Sequence, residues 1–78
     1  MKDLIDYIAR SLVDDPTQVH VRQRGGRNNV DINLEVAKED MGRVIGKRGR
    51  VANAMRMLLR VAAAREGKRA NLEIIEPE

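Results

Sequence analysis

No cysteine, tryptophan or phenylalanine occurs among the 78 residues, and tyrosine occurs once. Without cysteine there can be no disulfide and no thiolate-ligated metal, which fits an intracellular, cytoplasmic setting. With a single aromatic ring the core must be filled by Val, Ile, Leu, Met and Ala, and a platform of several aromatic side chains for stacking bases is not available. Proline occurs only twice. The apolar runs are too short to cross a membrane, and no secretory signal opens the chain, so no membrane partner is expected. Catalytic groups are sparse as well. His20 is the only imidazole, and Tyr7, Ser11 and Thr17 stand apart from it in sequence. Nothing assembles a nucleophile, a base and an oxyanion site, so the chain does not read as an enzyme. The carboxylate pairs Asp14/Asp15 and Glu39/Asp40 fall at helix boundaries, where capping and the helix dipole account for them. No cofactor or metal is called for.

Charge is abundant, and it is segregated. The net charge is +3, yet residues 43–69 hold nine basic residues and one acid, Glu66, for a local +8 against −5 elsewhere. Arg22, Arg24 and Arg27 make a second basic cluster. Separation of this kind points to a polyanionic partner more strongly than the net charge does.

Within the basic segment lies VIGKRG, residues 44–49. A Gly-x-x-Gly match arises by chance roughly 0.4 times in a chain of this length, but about 0.005 times when both inner residues must be basic. Only the filled pattern is therefore informative. Gly46 and Gly49 permit a tight turn with no Cβ to hold a phosphate away. Lys47 and Arg48 bring charge, the guanidinium with a fork that grips phosphate at two points. Arg50 opens a helix whose first N–H groups favour an anion. GRVIGK, residues 42–47, nearly reads as a P-loop, but it has three residues between its glycines instead of four. Arg48 also stands where Ser or Thr would hold magnesium.

The periodicities give an element order. Leu4, Ile5, Ile8, Ala9 and Leu12 predict an amphipathic helix over 2–13, ended by Asp14-Asp15-Pro16. A short strand over 18–24, a Gly25–Asn29 turn and the alternation Val30, Ile32, Leu34, Val36 predict a hairpin. A short helix over 38–45 should stop at Gly46. A long helix over 50–65 should turn Val51, Ala54, Met55, Leu58, Leu59 and Ala62 to the core, with Arg50, Asn53, Arg56 and Arg60 as a polar stripe. Gly67 should end it, Ala70, Leu72 and Ile74 mark a last strand, and Pro77 closes the chain. The expectation is one α+β domain over 1–78, in the order α-β-β-α-α-β. It has a three-stranded mixed sheet with its second strand central, antiparallel to the first and parallel to the third, and three helices on one face.

Order and motif together resemble the K-homology (KH) domain of type II over nearly the whole chain, and in particular the small single-domain bacterial KH proteins. VIGKRG is similar to that family's Ile-Gly-x-x-Gly signature. The resemblance implies binding of single-stranded RNA, about four nucleotides along a groove beside the loop. Such an RNA-binding protein would serve as a post-transcriptional regulator or RNA chaperone. Gly46, Lys47, Arg48, Gly49 and Arg50 would take the phosphates, with Ile45 and Asn53 at the bases and Arg56 and Arg60 extending the track. Val44 belongs either to the groove edge or, as the favoured reading, to the core. The resemblance also implies a homodimer, or a heterodimer with a larger KH-containing protein, and the surplus apolar residues of the long helix suit this. Two alternatives stay open: a protein-interaction module with little RNA binding, and a single-stranded DNA binder.

Overall fold

The computed structural model describes residues 1–76, the side chain of Lys47 excepted; Pro77 and that side chain lie outside the described residues. Helix α1 is Lys2–Leu12, strand β1 His20–Arg24, strand β2 Asn29–Glu35, helix α2 Met41–Arg65 and strand β3 Arg69–Ile75. Short 3-10 turns at Pro16–Gln18 and Lys38–Asp40 lead into β1 and α2. The sheet order is β1-β2-β3, with β1 antiparallel and β3 parallel to the central β2. This is the topology expected from the sequence.

Alternation along β2 decides where the layers lie. Val30, Ile32 and Leu34 are buried, while Asp31, Asn33 and Glu35 point the other way and keep contact with solvent. Both helices therefore cover one face of the sheet. Ile5 and Ala9 of α1 and Val44, Met55, Leu59 and Ala63 of α2 meet the three strand residues in a single core, without an aromatic side chain.

Two expectations about α2 are corrected. Gly46 does not stop the helix, because its φ is not positive and the helix runs on through it. The right-handed path breaks two residues later, where Arg48 and Gly49 have φ of 60° and 83°. Met41–Arg65 is thus two helical arms joined at a left-handed pair, and the order α-β-β-α-α-β holds. The phase of the second arm also differs. Ala52, Met55, Leu59 and Ala63 face the core, Val51 and Ala62 are half-buried, and Ala54 and Leu58 are exposed. The arm is apolar on nearly every side, so spacing alone did not select the buried face.

A buried acid holds the start of α2. Asp40 is 2% exposed, and it does not cap its own helix. Its carboxylate accepts the Asp14 and Asp15 N–H groups at 3.1 and 3.2 Å. Arg43 stands 3.5 Å from it while donating to Asp14 at 2.9 Å. Only Asp15 among the four boundary acids accepts a capping bond, from the Thr17 N–H at 3.2 Å. Asp40→Ala would leave two N–H groups unpaired, a loss of about 2–3 kcal/mol. In a domain of this size that lowers the melting temperature by roughly 10–20 °C. Thermal unfolding followed by circular dichroism is expected to show this fall, and a smaller one for Asp40→Asn, which keeps one acceptor oxygen.

Candidate nucleic-acid interface

The left-handed pair builds the site. A left-handed conformation costs a non-glycine residue about 1–2 kcal/mol, and Arg48 adopts it where the chain leaves one arm and enters the next. Such outliers concentrate at ligand clamps and switch regions. A new right-handed arm has to begin after Gly49, and the first turn of a helix directs N–H groups outward along its axis. Arg48 and Arg50 are exposed beside that point, and Gly46 and Gly49 are half-buried. An added Cβ at Gly49 would meet nothing within 4 Å. Glycine there serves the backbone angle and leaves open space in front of the turn.

From the loop a polar ridge runs along the second arm through Gly49, Asn53, Arg56 and Arg60, at steps of four, three and four residues that keep one side of a helix. The ridge flanks the core line 52, 55, 59, 63 and reaches the free edge of β3. There the half-buried Arg56 donates from Nε to the Leu72 carbonyl at 3.3 Å and from Nη1 to Asn53 Oδ1 at 3.3 Å. An edge strand presents unpaired N–H and C=O groups. Arg56 thus occupies one of the edge acceptors and steadies Asn53, while Arg60 remains exposed.

The two apolar residues of the motif separate. Val44 is fully buried and is core, whereas Ile45 is 42% exposed beside the loop. The second basic cluster lies elsewhere. Arg22 and Arg24 pair in register with Asn33 and Asp31 on the face of the sheet that the helices leave uncovered. His20 is exposed on β1. The edge of β3 is the part of the site that sequence reading missed. Its signal was the parallel crossover itself, which makes a third strand next to a central second one an edge.

Along the outer side of the second arm, Met57, Leu58 and Val61 are 67%, 51% and 53% exposed. With Ala54 they fall at i, i+3, i+4 and i+7, one continuous apolar stripe. No helix among the described residues is long and apolar enough to cross a membrane.

The model of the KhpA/KhpB KH domain matches residues 2–74. The chain is 48% identical over 75 residues to a protein named RNA-binding protein KhpA from Clostridium perfringens, covering 96% of this chain and all of the relative. It is 49% identical over 75 residues to the protein of that name from Clostridium acetobutylicum, with the same coverage. A third, from Chlamydia trachomatis, is 43% identical over 76 residues, covering 97% of each chain. No solved structure matches the chain significantly.

Proposed function

The chain belongs to the KhpA/KhpB family of KH domains, a non-enzymatic family, and we propose that it binds single-stranded RNA through the Gly46–Gly49 loop and the ridge behind it. The observation that carries this reading is the left-handed Arg48–Gly49 pair, set between cations at the start of a helical arm. It is supported by relatives that bear the name RNA-binding protein and align along almost their full length. The loop amides, Lys47, Arg48 and Arg50 hold successive phosphates, which positions the strand without reading it. Bases lie toward Ile45, Asn53 and the β3 edge, and Arg56 and Arg60 continue the line of charge. With a single aromatic ring in the whole chain, stacking contributes little, so binding is weak, dominated by phosphate and only mildly selective. A domain that holds a short strand reversibly and does no chemistry on it suits a cytoplasmic post-transcriptional regulator or RNA chaperone.

Titration of a labelled, unstructured RNA by fluorescence anisotropy tests this. Three loop cations in contact give a slope of log affinity against log salt near −2, at about 0.7 per phosphate for single strands. A slope near zero, or no binding at high protein concentration, would reject RNA and favour a pure protein-interaction role. A DNA strand of the same sequence, run in parallel, separates the ribose-dependent part.

A second reading rests on the stripe of Ala54, Met57, Leu58 and Val61. An apolar helix face of this kind packs against a like face, of a second copy or of a larger KH-containing protein, and two weak RNA sites then act together. The family description spans KhpA and KhpB together, which supports a KH partner. Wild-type protein is expected to sediment as a concentration-dependent dimer and Leu58→Asp as a folded monomer. A wild type that stays monomeric at high concentration removes the homodimer.

A further inference from the structure

At the end of α2 furthest from the loop, a second group of cations converges. Arg60, Lys68 and Arg69 surround an open cavity of about 310 Å³ lined also by Ala70 and Asn71. Lys68 lines a neighbouring hollow of about 270 Å³ as well, on whose other side stand Arg24 and the Gly25–Gly26 turn. The Arg69 N–H donates to the Asn28 carbonyl at 2.7 Å, so the hairpin turn and the turn after α2 are fastened together beneath these side chains. Among the described residues none of these four cations lies within ion-pair distance of a carboxylate. The basic side chains that do find acids, Arg10 and Arg43, lie outside this group.

Clustered cations without counter-charge repel one another, and a polyanion that threads between them relieves the repulsion. The walls of the cavity offer no aromatic or large apolar side chain to clasp a base. The chemistry on offer is therefore for phosphate in a continuous strand and not for a free nucleotide. Arg48 and Arg60 are separated by twelve residues, about 18 Å at 1.5 Å per residue. The ridge through Asn53 and Arg56 fills the interval.

We propose that Lys68 and Arg69, together with Arg60 and with Arg24 beyond Lys68, form a second phosphodiester-binding site for single-stranded RNA at the opposite end of the arm from the glycine loop. The strand is held along the whole arm and over the turn that follows it. This rests on the RNA-binding reading above and extends its footprint past the groove beside the loop.

The test compares labelled oligouridines of four and twelve nucleotides on wild type, on Lys68→Gln/Arg69→Gln, and on Lys2→Gln/Lys38→Gln, which has the same net charge. The Lys68/Arg69 variant is expected to bind the short RNA as wild type does and the long one roughly tenfold more weakly. Its salt slope on the long RNA should be shallower by about 1.4, two contacts at about 0.7 each. The control should match wild type on the long RNA to within about twofold, the general charge effect being screened at working salt. The proposal is overturned if the Lys68/Arg69 variant binds the long RNA as tightly as wild type. It is equally overturned if that variant loses no more than the control, or loses the short RNA to the same degree. Wild type that binds neither length brings down the RNA-binding reading and this site with it, whereas intact short-RNA binding with an unchanged long-RNA affinity removes this site alone.

Discussion

Gly25→Ala is expected to remove much of the domain's stability, while Gly26→Ala next to it leaves stability nearly unchanged. At Gly25 φ is +140°, and an added Cβ would lie 2.1 Å from the Asn29 carbonyl oxygen and 3.1 Å from the Val30 Cα. These atoms belong to the first residues of the central strand. Strand β2 cannot yield without disturbing Val30 in the core and the Asn29–Arg69 and Val30–Ala70 register with β3. Backbone strain and overpacking each cost about 1–3 kcal/mol, so the sum is roughly 2–6. For a chain of this length the whole stability is about 4–12 kcal/mol. Gly26 has nothing within 4 Å of an added Cβ and no positive φ. There alanine restricts the unfolded chain and leaves the fold untouched. Urea denaturation of the two variants decides the matter, and equal midpoints would contradict the geometry of this turn.

Lys47→Asp/Arg48→Asp is expected to leave the protein folded and to weaken RNA binding by roughly 30-fold or more, since charge-assisted contacts are lost and repulsions take their place. Folding survives because Arg48 is exposed and aspartate is among the residues that tolerate the left-handed region. Melting temperature and anisotropy measured on one preparation separate the two effects. If affinity is unchanged in a folded variant, the loop is not where phosphate is held.

Much of this architecture is legible in the chain. The strict alternation of Val30, Ile32, Leu34 and Val36 fixes the central strand and which of its faces is covered. A connection long enough for two helical arms makes β3 parallel to it. The loop, too, is legible, since two glycines around two cations allow few structural roles. What the sequence does not disclose is the phase of an arm apolar on almost all sides. The choice of Ala52, Met55, Leu59 and Ala63 over Ala54 and Leu58 is made by the strands beneath and by Arg56 reaching Leu72. Asp40 was opaque for a related reason. An acid just before a helix reads as a cap, and only the tertiary approach of Asp14 and Asp15 turns it into a buried clamp. The uncompensated cations around Lys68 were likewise visible as charge but not as a cavity, because Arg24, Arg60 and Lys68 come from three separate segments.

The central claim is that RNA is held at the break between the two arms of α2, and amide chemical-shift mapping tests it most directly. Titration of ¹⁵N-labelled protein with an unstructured single-stranded RNA is expected to shift the amides of Gly46, Arg48, Gly49 and Arg50 first and most. Asn53 and Arg56 should follow, while His20, Arg22 and Asn33 on the uncovered face of the sheet stay still. Shifts concentrated on Arg22, Asn33 and Glu73 with the loop silent would contradict it and move the nucleic-acid surface to the opposite side of the molecule.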